Sequence, residues 1–203
     1  MVKFERNPLK GIDWHISFMA HIAVLGLGNW GSAIARLWLL EGHKVKGWTI
    51  EQEVYESITM DGMNNKYLPD HSLEGLEATM HVEEALDGSE IIVLAIPSSV
   101  ILNVVEDIIP HLRPGHVLLD LAKGLAPGKR LISEAIHQML TDNDMHNPLA
   151  VLTGPTIAPE AAGGVMTTAL VASEDVSVAE NLASTLTTPC LLYTSDAADE
   201  HSC

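Results

Sequence analysis

The stretch His21-Ile22-Ala23-Val24-Leu25-Gly26-Leu27-Gly28-Asn29-Trp30-Gly31 decides the fold. It opens as a short apolar run with β character and ends as G-x-G-x-x-G, with a helical pattern over residues 30–41 beginning inside it. By itself that glycine spacing is weak, and a plain glycine turn would satisfy it. Here it follows a strand, opens a helix and precedes a second β-rich run at residues 44–48, which is the setting of a dinucleotide-binding βαβ unit. Sterics assign the roles. Gly26 makes the tight turn, Gly28 lets backbone approach a pyrophosphate, and Gly31 lets helix pack on strand. The N–H groups and dipole at the start of the helix then face the anion.

Outward from this unit the chain keeps alternating. Strand-like runs at residues 21–25, 44–48, 77–79, 91–96, 116–121, 149–153 and 168–172 are separated by helical patterns at 30–41, 51–60, 99–109, 130–140 and 175–186. Several of the runs are apolar almost throughout, as strands covered by helices on both faces must be. In Ile101, Val104, Val105 and Ile108 the helical spacing is complete, so one face of that segment is buried. Pro110 ends it, and Pro114-Gly115 turns the chain into the next strand. The expected fold is α/β, a Rossmann-type doubly wound, mostly parallel sheet with helices on both faces.

Composition narrows the function. Of 203 residues, 47% are hydrophobic and 19% charged, enough apolar material for a core. With 11 Lys+Arg against 27 Asp+Glu the net charge is −16, which argues against nucleic acid and anionic membrane as partners. No apolar run approaches the roughly 18 residues that span a bilayer. The two cysteines, Cys190 and Cys203, offer neither a disulfide framework nor zinc spacing, so a cytoplasmic setting is expected and no metal site. The ten histidines read as structural or solvated.

An acidic residue that holds an adenosine ribose belongs at the end of the second strand. That tip reads Trp48-Thr49-Ile50-Glu51, and Glu51 comes slightly late, so it serves equally well as a first-turn helix residue. No Lys or Arg occurs between Gly47 and Asn65, which favours NAD over NADP because a 2′-phosphate would lack a local cation.

Four further segments, with the glycine turn, form a recognisable set: Asn65-Lys66-Tyr67-Leu68-Pro69, Ala95-Ile96-Pro97-Ser98, Ala122-Lys123-Gly124-Leu125 and the stretch from Thr153 to Glu160. In order and spacing they resemble the N-terminal portion of NAD(P)-dependent glycerol-3-phosphate dehydrogenase, from about His21 to Pro189. The resemblance implies a small-molecule substrate, glycerol 3-phosphate or dihydroxyacetone phosphate, and hydride exchange with NAD. It makes Gly26, Gly28, Asn29, Trp30, Gly31, Lys123 and Ala158 cofactor-binding, and Lys123, Gly154 and Thr156 substrate-contacting. Thr156 departs from the Ser common at its position but keeps the hydroxyl. From position alone, Lys123 at a strand's carboxyl end could polarise a reacting oxygen or be a surface lysine of a turn. Another dehydrogenase pairing this fold with a helical domain, or a dinucleotide-binding module without turnover, would share much of the pattern.

Both ends are expected to stand outside the domain of residues 19–189. Residues 1–18 lack any period and read as an upstream extension. Residues 190–203, beginning Cys190-Leu191-Leu192-Tyr193-Thr194-Ser195-Asp196, look like the in-frame translation of a sequencing adapter. Trimming both is expected to leave stability nearly unchanged. In the resembled family a helical C-terminal domain follows and supplies the proton-accepting lysine and a grip on the substrate phosphate. No segment here matches it, so a truncated and inactive chain is expected, with a homodimer left open for the full-length protein.

Overall fold

The computed structural model describes residues 19–197. In order the chain forms β1 (His21–Leu25), α1 (Asn29–Leu40), β2 (Lys44–Trp48), α2 (Gln52–Asp61), β3 (Met63–Asn64), β4 (Leu68–Ser72), β5 (Glu77–Thr79), α3 (Val82–Leu86) and β6 (Ile91–Leu94). There follow α4 (Ile101–Ile108), β7 (Val117–Asp120), α5 (Ile132–Asp142), β8 (Leu149–Thr153), α6 (Ala158–Ala162), β9 (Thr167–Ser173), α7 (Val176–Leu186) and β10 (Leu191–Ala197). Eight strands make one sheet in the order β10-β9-β8-β7-β6-β1-β2-β5, and β3 and β4 form a separate antiparallel hairpin. Every neighbouring pair in the large sheet is parallel except β8 with β9.

Strand order reverses between β1 and β6. From β1 the chain builds outward through β2 to β5, then returns to lay β6 on the other side of β1, with Leu25 opposite Leu94. A crevice opens beyond the carboxyl ends of strands at such a switch point, because their connections leave in opposite directions.

The strands are apolar on both faces because both are covered. Ile22, Val24, Val93, Leu119, Leu152 and Val171 point into a core capped by α1, α2, α6 and α7. Ala23, Leu25, Ile92, Leu94 and Leu118 point to the opposite core, under α3, α4 and α5. The complete helical spacing in α4 puts Ile101, Val104, Val105 and Ile108 against the sheet, as its periodicity predicts. Trp38, fully buried on α1, donates its indole N–H to the Leu186 carbonyl at the end of α7, 3.2 Å away. That bond joins the first and last helices of one face.

The sheet runs on past Pro189, the boundary expected from the sequence. Leu191–Ala197 pairs in parallel along the whole of Thr167–Ser173 and forms the sheet's edge. Leu191 is fully buried in the core of the α1 face, and Tyr193 packs against that core. The Leu191 amide donates to the Thr188 hydroxyl, and the Thr167 amide donates to the Cys190 carbonyl, locking the strand's entry. The reason is local: Leu191, Leu192, Tyr193 and Thr194 are strand-prone and alternate inward and outward beside an otherwise open β9. The readings of residues 1–18 and 198–203 lie outside the described residues.

Leu191→Ala should therefore cost about 2–5 kcal/mol of unfolding free energy, as emptying a leucine-sized buried site does. Removing residues 190–203 should cost at least as much. A urea titration reads both, and an unchanged midpoint in either variant would mean that β10 does not secure the edge.

Candidate functional site

The glycine turn sits at the switch point. Gly26 has φ +101°, a backbone conformation that side chains other than glycine's resist, and its amide donates to the Trp48 carbonyl at 3.0 Å. A Cβ on Gly26 would lie 2.5 Å from the Ala95 carbonyl oxygen, so the turn is pressed onto the end of β6. A Cβ on Gly31 would lie 1.9 Å from the Gly26 carbonyl oxygen, which fixes the close packing of helix on strand. Gly28 differs: a Cβ there would meet nothing within 4 Å. Its side is open, as a position approached by a ligand must be.

Gly28 caps α1 without a side-chain hydrogen bond, and the first turn carries no acidic residue. The leading N–H groups, at Asn29 and Trp30, therefore meet no competing carboxylate from their own turn. This arrangement fits an anion such as a pyrophosphate. Ser32 locks the turn from beneath, donating its hydroxyl to the Leu27 carbonyl at 3.1 Å. Fully buried Asn64 donates to that same carbonyl and to the Ser32 hydroxyl oxygen, both at 2.8 Å, and accepts from the Tyr67 amide. Asn64 is a site-forming residue that sequence reasoning missed. The available signal was a polar residue between α2 and the Tyr67-Leu68-Pro69 segment.

Because β1, β6, β7 and β8 run parallel, their carboxyl ends share one edge of the sheet. Lys123 lies there, three residues beyond β7, with an exposed side chain. Gly124 beside it approaches the Ser98 hydroxyl of the loop after β6, where a Cβ would come within 3.4 Å. Gly154 follows β8 against the backbone of β9: a Cβ would lie 2.9 Å from the Thr168 carbonyl oxygen. The Thr156 amide then donates to the Gly154 carbonyl, and Ala158 opens α6, which packs on α1. The residues singled out from sequence thus share one sheet edge. Among the described residues no three His, Cys, Asp or Glu side chains gather to hold a metal.

Two features of the site concern charge. The tip of β2 does have a cation: Lys66, after the β3 turn, reaches back to pair with both Glu51 and Glu53. Tyr67 donates its hydroxyl to Glu51 at 2.9 Å. Lys66 first, then Tyr67, hold the Glu51 carboxyl below its ordinary range. Counting positions along the chain could not reveal this, because the chain doubles back. The second is Asp120, the last residue of β7, 2% exposed within an apolar run. It accepts from the Ala122 amide at 2.8 Å and so shapes the turn leading to Lys123.

Burial lifts the Asp120 carboxyl to about 6, outweighing the Ala122 bond that pulls the other way. A folded-state value above the unfolded one means that stability is fullest in acid and is lost as pH rises toward 6. Asp120→Asn keeps an oxygen for Ala122 and removes the buried charge. It should add about 2–3 kcal/mol at pH 7, by the size of the shift, and add almost nothing below pH 4. Unfolding titrations at both pH values check this; an equal effect at both would refute the charge argument.

The family model described as NAD-dependent glycerol-3-phosphate dehydrogenase N-terminus matches residues 21–179. A glycerol-3-phosphate dehydrogenase of Halothermothrix orenii is 36% identical over 162 residues, covering 79% of this chain and 46% of its own. One from Acidobacterium capsulatum is 37% identical over 185 residues, covering 88% and 55%. The crystal structure of glycerol-3-phosphate dehydrogenase from Coxiella burnetii superposes with a TM-score of 0.81 at 29% identity, over 89% of this chain and 55% of that one. The chain spans about half the length of the curated relatives it matches. Over that matched range, the chain belongs to the NAD-dependent glycerol-3-phosphate dehydrogenase N-terminal family.

Proposed function

We propose that this chain is the NAD(H)-holding part of a cytoplasmic enzyme interconverting glycerol 3-phosphate and dihydroxyacetone phosphate, and so serving phospholipid precursor supply. The observation that carries it is the single sheet edge shared by the glycine turn, Lys123 and residues 154–158. Gly26, Gly28 and Gly31 shape the turn, and the N–H groups of Asn29 and Trp30 hold the pyrophosphate. Ala158, on the helix beside α1, completes the cofactor wall. When bound, the nicotinamide supplies the hydride chemistry.

Lys123, Gly154 and Thr156 form the substrate wall in this reading. The Lys123 ammonium hydrogen-bonds the oxygen on the reacting carbon and stabilises the negative charge that develops there. The Thr156 hydroxyl orients the substrate, and Gly154 brings backbone close where a side chain would clash with β9. Oxidation also needs a base for the substrate hydroxyl proton, within hydrogen-bond reach. That group and the second wall come, in this reading, from the half of the relatives' length that the chain does not span. NAD(H) is the favoured cofactor because the pair Glu51 and Glu53 outweighs Lys66 in charge at the ribose end.

A fluorescence titration with NADH tests the cofactor wall. Gly28→Val should abolish binding with the melting temperature nearly unchanged, because its Cβ meets no protein atom. Gly31→Ala should lose binding and stability together, because its Cβ collides with the Gly26 carbonyl. Full NADH affinity in Gly28→Val would refute the assignment.

A chimera tests the substrate wall: this chain to Ala197, followed by the C-terminal half of the Halothermothrix orenii relative. It should oxidise glycerol 3-phosphate with NAD. Lys123→Ala should lower kcat by about 10²–10³, as loss of an oxyanion-type donor does, and leave the Kd for NADH within about twofold. A chimera indifferent to that change would remove Lys123 from the site.

A further inference from the structure

The ribose end of the crevice carries one cation between two carboxylates. Lys66 is half-exposed, and so is Glu51, whose backbone caps α2 while its side chain turns away from the helix to Lys66 and Tyr67. Glu53, two residues further, completes the clamp from the more exposed side. The Lys66 ammonium also lies 5.4 Å from the centre of the Tyr67 ring. An ordinary surface pair would be free to wander, but this one is anchored. Asn64 ties the start of its turn to the Leu27 carbonyl and the Ser32 hydroxyl, inside the glycine turn's own hydrogen-bond network. Position at the β2 tip is therefore fixed relative to the phosphate-binding turn by one buried side chain.

Resting on the NAD(H) reading above, we propose that Lys66 is a phosphate-competent cation kept occupied by Glu51 and Glu53, and that this clamp sets the choice between NAD(H) and its 2′-phosphorylated form. The group at the end of the second strand faces the adenosine ribose in this fold. With the clamp closed, the local charge is negative, which repels a 2′-phosphate and tolerates a ribose diol. With the carboxylates neutralised, the ammonium is free to meet the phosphate, and it sits where one would arrive. The rule of an acidic residue on the ribose explains rejection of NADP(H) by Glu51 alone. It gives Lys66 no part, and that difference is measurable.

The test uses the full 203-residue chain and fluorescence titrations with NADH and with NADPH. The wild-type chain should bind NADH more tightly. Glu51→Gln with Glu53→Gln should raise NADPH affinity about tenfold relative to NADH, with the NADPH gain fading in high salt. Adding Lys66→Met to that pair should abolish the gain. Lys66→Met alone should weaken NADPH further, because both carboxylates are then uncompensated. Glu53→Gln alone, on the more exposed side, should give a smaller shift in the same direction. An NADPH gain that survives Lys66→Met would overturn the role of Lys66 and leave the NAD(H) reading standing. Absence of NADH binding by the wild-type chain would overturn both.

Discussion

There is no room for a methyl group between α1 and the turn that precedes it. A Cβ on Gly31 would sit 1.9 Å from the Gly26 carbonyl, and one on Gly26 would strike the end of β6. This double contact sets the distance of the first helix from the sheet, and much else follows from it. It brings the uncapped N–H groups of α1 over the crevice between β1 and β6. It also carries Trp38 down against α7 and Arg36 within reach of the Ala162 carbonyl, so the helices that cover one face take their places from it.

A chain of net charge −16 that must hold a phosphate ligand faces a long-range penalty. The structure answers locally. At the start of α1, the proposed pyrophosphate position, it offers backbone dipoles, which carry no net charge, and leaves the first helical turn free of acids. Asp120 shows the other side of the same economy. A carboxyl placed beneath the Lys123 turn is desolvated enough that its proton is held more tightly.

Much of the sheet was legible in the sequence. The runs at His21–Leu25, Lys44–Trp48, Glu77–Thr79 and Leu149–Thr153 form strands over those same residues, the first and last because buried strands are written as short apolar runs between breaks. The tight turn at Gly26 and the close packing at Gly31 were legible too, from the glycine spacing alone. What stayed hidden depends on non-local partners. Asn64 looks like any loop asparagine until Leu27 and Ser32 arrive beside it, and Lys66 reads as remote from the β2 tip because the β3–β4 hairpin returns it. The short helices α3 and α6 are too brief to show a period. β10 was set aside on grounds of origin, although its residues have strand propensity and an unpaired neighbour.

The indole bond from Trp38 to the Leu186 carbonyl spans 148 residues of sequence. That separation matters for how the molecule forms. Loop-closure entropy delays contacts so distant, and parallel pairings fold slowly for the same reason. During synthesis α1 emerges early, whereas α7, whose Leu186 carbonyl accepts from the Trp38 indole, follows only after the sheet strands between them. The hydrogen bond that ties the first helix to the last helix of its face is therefore a late contact, made after the local packing around Trp38 is in place.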